Sequence, residues 1–164
     1  MMSMEIRPGG LDRPEVSQLL REHVRTLAQY SPPESVHALD LESLRRPEIA
    51  FWSVWGSGGL MGCGALKELD SRHGEIKSMR TVAKYLRQGV GARLLCHIFE
   101  EASRRAYQRL SLETGSMVAF APARRLYAAS GFRECAPFAG YILDPNSVFM
   151  TKELRTLAPA HEPP

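Results

Sequence analysis

The run Glu75–Leu95 holds the densest potential chemistry in the sequence. Glu75-Ile-Lys-Ser-Met-Arg-Thr81 reads as a strand, and Leu86-Arg-Gln-Gly-Val-Gly91 follows as a basic, glycine-bearing loop. A helix is expected from about Ala92. Glycine lacks a Cβ, so at Gly89 and Gly91 the chain can turn sharply and a ligand can approach the backbone. The first turn of a helix carries unpaired N–H groups and partial positive charge. Loop and helix start together make an anion site suited to phosphate or pyrophosphate, with Arg87 adding charge. Two common phosphate loops are excluded. A nucleotide P-loop needs Lys-Ser or Lys-Thr after its glycines, and neither follows here. A dinucleotide fingerprint needs a third glycine, but Gly89-Val-Gly91 runs on into Ala92-Arg93-Leu94.

Gln88-Gly-Val-Gly-Ala-Arg-Leu-Leu95 resembles the second half of the acyl-CoA loop of the GNAT N-acetyltransferase superfamily, Q/R-x-x-G-x-G/A between a strand and a helix. Its first Q/R position falls on Leu86, a place that gives mainly a backbone N–H. Ala123-Arg-Arg-Leu-Tyr-Ala-Ala-Ser-Gly-Phe132 resembles the A-x-x-L-Y-x-x-x-G-F signature of the same superfamily at every fixed position. Phe120 stands where many members carry Asn, and Ser116 is a candidate replacement contact. The resemblance implies a GNAT-like α/β fold: a mixed, mostly antiparallel sheet with a splayed parallel strand pair and helices on both faces. It implies an acetyl-CoA-dependent N-acetyltransferase acting on a primary amine of a small molecule or peptide, by direct attack in a ternary complex. It places acetyl-CoA on Met79, Arg80, Thr81, Arg87, Gln88, Gly89, Val90, Gly91, Ala92, Arg93 and Phe120. The N–H near Met79 would then serve as an oxyanion hole. Tyr127 would protonate the departing thiolate, and Glu75 would deprotonate the amine, with Glu113 or water as the other base candidates. His37, Trp52, Phe138 and Tyr141, with Arg80 and Asp144, are the acceptor-pocket candidates, and Arg124 is a candidate for the cofactor phosphates. The segments 75–81, 111–117 and 144–150 resemble the bacterial YsnE/YedL-type branch, which defines no acceptor. An acyl-CoA sensor without catalysis, or an interaction module on this scaffold, stands as the alternative.

These residues need elements to hold them. Residues 4–7 read as an opening strand. Asp12 is expected to cap a helix from about Arg13 to Gln29, with Val16, Leu19, Leu20, Val24 and Leu27 at helical spacing. Glu34–Leu44 is expected to form a second short helix. Ile49–Trp55, Leu60–Leu69 and Glu75–Thr81 read as a three-stranded meander, turning at Gly56–Gly59 and Asp70–Gly74. Ala92–Ala106 is expected to be a helix of about 22 Å. Arg109–Thr114 follows as a strand, and strand–helix–strand succession implies one parallel pair with a right-handed crossover. A helix over Ala119–Ala129 ends at Ser130-Gly131, and Gly131–Pro137 and Ser147–Leu154 are the last strands.

Composition sets the outer bounds. With 164 residues, one domain over 1–154 and a loose, proline-bearing tail over 155–164 are expected. The net charge of +3 is too small to argue for nucleic acid. No apolar run reaches membrane-spanning length, and the start of the chain lacks an apolar signal core. Cys63, Cys96 and Cys135 form no metal or redox motif, so no metal is expected, and scattered thiols fit a reducing cytoplasm. Edge strands and an apolar last strand point to a homodimer.

Overall fold

The computed structural model describes residues 3–155. Its sheet has seven strands in the order β1-β2-β3-β4-β5-β7-β6. They are β1 (Glu5–Pro8), β2 (Ile49–Gly56), β3 (Gly59–Asp70), β4 (His73–Thr81), β5 (Arg109–Gly115), β6 (Arg133–Cys135) and β7 (Ser147–Glu153). Only β4 and β5 run parallel; the other neighbours are antiparallel. The helices are α1 (Pro14–Tyr30), α2 (Leu41–Leu44), α3 (Val90–Arg104) and α4 (Ala121–Ala129).

Side chains along a strand alternate between its faces, and β2 shows what this does. Trp52 and Val54 join the layer under α3 and α4, with Leu94, Leu95, Ile98, Leu110 and Leu112. Phe51 and Trp55 join the opposite layer, where α1 buries Val16, Leu19 and Leu20 beside Leu44 of α2. The mixed sheet with helices on both faces is the fold that the sequence motifs implied.

Several local expectations are corrected. Asp12 does not cap α1; its carboxylate takes the Arg45 guanidinium at 2.9 Å, and Pro14 alone starts the helix after Arg13. Glu34–Leu44 is not one helix. Pro33–Ser35 makes a single 3-10 turn, the chain then extends, and Asp40 caps the one-turn α2 by accepting from the Ser43 N–H at 2.8 Å. An Asp that serves as a cap starts a helix and so cannot lie inside one. α3 begins at Val90 rather than Ala92, because Gly89 stands just outside it with φ of 86°. A 3-10 turn, Val118–Phe120, precedes α4. The penultimate strand shrinks to Arg133–Cys135. Apart from Arg155, the expected tail lies outside the described residues.

Two irregularities of the sheet shape its middle. First, β4 and β5 pair only at His73↔Arg109, Gly74↔Leu110 and Glu75↔Ser111. Beyond that point β4 stays with β3 as far as Thr81, β5 stays with β7 as far as Gly115, and their facing edges part. Second, β4 carries a bulge. Cys63 pairs with Arg80 but Ala65 pairs with Lys77, so Gly64 faces both Ser78 and Met79. Ser78 absorbs the extra residue at φ of 55°. Glycines in β3 make room for this. A Cβ on Gly64 would lie 2.5 Å from Met79 Sδ, and one on Gly62 would lie 2.8 Å from the Arg80 carbonyl oxygen.

A main-chain oxygen cannot swing aside as a side chain can. Gly62→Ala is therefore predicted to lower stability by about 1–3 kcal/mol, as overpacking does. Urea unfolding checks this, and an unchanged midpoint would contradict the packing described.

Candidate active site

The parted edges of β4 and β5 open into a cavity of about 1090 Å³. Its walls are Ile76–Thr81 of β4, Glu113–Gly115 of β5, the second half of α1 with Ser35–Ala38, and the starts of α3 and α4. The expected anion site, the loop before α3, lies at one edge. Arg87 and Gly89 both have positive φ, 61° and 86°, and swing the chain into α3. The first intrahelical bond runs from the Arg93 N–H to the Gly89 carbonyl at 3.0 Å. The N–H groups of Val90, Gly91 and Ala92 therefore have no carbonyl one turn back to bond, and all three residues line the cavity.

Nine of the eleven expected cofactor positions line this cavity: Met79, Arg80, Thr81, Arg87, Gly89, Val90, Gly91, Ala92 and Phe120. Gln88 and Arg93 do not. The Gln88 amide donates back to the Lys84 carbonyl at 3.1 Å, and the Arg93 N–H is consumed inside the helix. The Leu86 N–H is likewise engaged, by the Ala83 carbonyl at 3.3 Å. Ser116 does not replace the missing Asn, because its hydroxyl donates to the Pro145 carbonyl at 2.7 Å. Arg124 clamps the main chain, donating to the carbonyls of Gly115 at 2.6 Å and Met117 at 3.0 Å. Its neighbour Arg125 lines the cavity instead. Phe120 meets Tyr30 edge to face at 6.0 Å, and the two rings close one end.

Of the acid–base candidates, Tyr127 reaches the cavity although it is only 7% exposed. Burial holds its phenol well above the usual tyrosine range, so it stays protonated and able to donate. Glu75 does not reach the cavity. It is 2% exposed and sits in a closed set of three. The Tyr141 hydroxyl donates to its Oε2 at 2.6 Å, and Lys77 Nζ donates to the same oxygen at 3.2 Å and to the Tyr141 hydroxyl at 2.9 Å. The carboxylate that lines the cavity is Glu113. Burial raises its pKa, and a bond accepted from the Ser147 hydroxyl at 2.9 Å offsets part of that. Among the described residues no cationic side chain lies within ion-pair distance of Glu113.

The acceptor candidates separate. His37 lines the cavity and packs edge-on to Tyr141 at 5.0 Å. Tyr141 itself is held by Glu75. Phe138 packs on Tyr141 and Phe149 at 5.2 and 6.0 Å, off the cavity. Trp52 is in the α3 layer against His97 at 5.3 Å, because its strand parity points it towards α3 rather than α1. Asp144 is bonded by the Ser35 hydroxyl and the Asn146 N–H. No motif signals the side-chain roles of His23 and Ser78, which line the cavity with buried polar atoms that have no partner among the described residues.

The model of the acetyltransferase (GNAT) family matches residues 16–132. The chain belongs to the GNAT acetyltransferase family. It is 60% identical over 151 residues to the uncharacterized N-acetyltransferase YsnE of Bacillus subtilis, covering 92% of this chain and 100% of that one. It is 49% identical over 149 residues to the uncharacterized N-acetyltransferase YedL of Escherichia coli, covering 91% and 94%. A Klebsiella pneumoniae structure provisionally assigned as an acyl-CoA N-acyltransferase superposes with a TM-score of 0.76 at 25% identity, covering 93% and 98%. The family and branch suggested by the sequence motifs are thus those found.

His23 gives this GNAT site a pH signature. Burial, then the nearby charge of Arg80, lowers its pKa from 6.5 to about 4. Between those values the unfolded chain binds a proton that the folded chain refuses. The stabilisation is whole above pH 6.5 and is lost as pH falls towards 4, by up to about 3 kcal/mol. Urea unfolding at pH 7 and pH 4.5 should show a smaller drop for His23→Gln than for the wild type. Equal drops would contradict the assignment.

Proposed function

We propose that the protein transfers an acetyl group from acetyl-CoA to a primary amine of a small molecule or peptide, by direct attack within a ternary complex. One observation carries this: the unpaired edges of β4 and β5 and the free first turn of α3 open into the same cavity. Residues 1–154 act as one catalytic domain in this scheme. The pyrophosphate of the cofactor sits on the N–H groups of Val90, Gly91 and Ala92, with Arg87 and Arg125 nearby. The pantetheine arm lies along Met79–Thr81 and bonds main chain that β5 leaves free. The Met79 N–H faces the thioester oxygen and stabilises charge as the amine attacks.

Glu113 is the base. An ammonium has no lone pair, and a carboxyl group with a raised pKa lies nearer to the amine in proton affinity. The attacking nitrogen forms the new C–N bond, the C–S bond breaks, and Tyr127 gives its proton to the sulfur. Glu75 positions rather than reacts: it fixes Lys77 and Tyr141 beneath the acceptor face. An acyl-enzyme has no suitable nucleophile in Cys63, whose thiol burial pushes up to about 12.

Thiol release from acetyl-CoA with a panel of amines tests the scheme. Glu113→Gln is predicted to lower kcat by about 100-fold at neutral pH, with the deficit narrowing as pH rises and free amine accumulates. Tyr127→Phe is predicted to lower kcat by about 10- to 100-fold with little change in KM for acetyl-CoA. Full activity in both variants would overturn the assigned roles. Failure of the wild type to bind acetyl-CoA in calorimetric titration would overturn the function.

A further inference from the structure

One corner of the cavity is unfinished. The bulge at Ser78 turns Arg80 towards α1, on the face of its register partner Cys63 and opposite Met79. The guanidinium donates to the Thr26 hydroxyl at 3.1 Å, and that hydroxyl is already committed to the Glu22 carbonyl at 2.9 Å. No other side-chain bond is made by this guanidinium, and no carboxylate lies within ion-pair distance of it, among the described residues. Arginine carries five N–H donors, so most of this group's capacity faces the cavity unspent.

The two buried side-chain polar atoms without a partner in the described residues are Ser78 Oγ and His23 Nδ1. Both residues line the same cavity as Arg80. His23 is one helical turn from Thr26, to which Arg80 donates, on the same side of α1, and Ser78 is the bulge residue of β4. Such atoms cost roughly 1–3 kcal/mol each when left unpaired. A cation with free donors and a neutral imidazole meet here, and a free hydroxyl lines the same cavity. Their common complement is a group that only accepts hydrogen bonds and carries negative charge.

Across the cleft, Glu113 has the opposite surplus: among the described residues no cation is within ion-pair distance of its carboxyl, and His37 and Lys77 act on it only from further off. Pairing of Glu75 with Ser111 puts Glu113 level with Lys77. Arg80 lies three residues further along β4, one of them absorbed by the bulge, so about 7 Å separates the two levels. Lys77 cannot serve either end, since Glu75 neutralises it. Leu27, Tyr30 and Phe120 supply an apolar wall.

We propose that the acceptor is an amino acid with an apolar side chain, its carboxylate held by Arg80 with His23 and its amine presented towards Glu113. This rests on the acetyltransferase function proposed above. The carboxylate site lies on the α1 face, apart from the N–H groups of α3 that take the cofactor pyrophosphate.

Leucine and phenylalanine, each against its carboxamide, are the probes, with acetyl-CoA and thiol release as the readout. The amides are the weaker bases and hold more free amine at neutral pH, so chemistry alone favours them. The wild type is expected to prefer the carboxylates by about tenfold or more in kcat/KM. Arg80→Met is expected to collapse that preference to near unity, through a raised KM for the carboxylates, and Arg80→Lys to retain part of it. Equal or faster turnover of the amides by the wild type overturns the inference, as does no turnover of either amino acid while acetyl-CoA binds. A proportional loss on both members of each pair in Arg80→Met makes Arg80 structural and overturns it too. Loss of acetyl-CoA affinity in Arg80→Met by about tenfold or more assigns the corner to a cofactor phosphate instead, with the same consequence. If the wild type binds no acetyl-CoA, the acetyltransferase function falls and takes this inference with it.

Discussion

Main-chain N–H and C=O groups withdrawn from water must find partners, and two neighbouring strands normally supply each other's. Here β4 and β5 stop doing so after Glu75↔Ser111. The rest of the site depends on that interruption. The parting of the strands makes the cavity, and the main chain of Met79–Thr81 becomes its lining. The bulge at Ser78 then sets which side chains face which way. Met79 packs towards α3 while Arg80 turns to α1, and Gly62 and Gly64 provide the space beneath. Anchoring each strand by its other neighbour keeps this geometry fixed: β4 by β3, β5 by β7.

Charge is arranged around the same opening. Glu75, Lys77 and Tyr141 form a buried set in which every charged or phenolic group is satisfied by the other two. A buried ion pair adds little net stability, because desolvation consumes much of the attraction. Its effect here is positional: the bond from Tyr141 ties the segment between β6 and β7 to β4. The phenol is correspondingly hard to ionise, raised by burial and by the charge of Glu75. On the α1 side of the cavity, Glu113 and Arg80 are left without an ion-pair partner among the described residues, as Arg87 and Arg125 are near α3 and α4.

Much of this is legible in the sequence, and the rest has physical reasons for being hidden. Gly89 and Gly91 betray the turn into α3 because few residues tolerate φ of 86° or sit so close to Leu126. Ala123–Phe132 betrays the α4 turn for similar steric reasons. Glu75 is harder to place, because its partner Tyr141 arrives from 66 residues away. Trp52 fails as an acceptor residue because strand alternation gives two faces but does not say which one a cavity will occupy. The supposed helix over Glu34–Leu44 fails because its apolar spacing is real but Asp40 competes as a cap. The unpartnered atoms of His23 and Ser78 could not be foreseen at all, since a missing partner is a property of the assembled cavity.

In the proposed complex, acetyl-CoA occupies the gap between β4 and β5 with its pyrophosphate on the first turn of α3. Amide hydrogen exchange, with and without saturating acetyl-CoA, tests it most directly. Slowed exchange confined mainly to Met79–Thr81 and Val90–Ala92, with β2 unaffected, is the predicted result. Binding that leaves both segments unchanged, or that protects a different face of the sheet, would contradict the account.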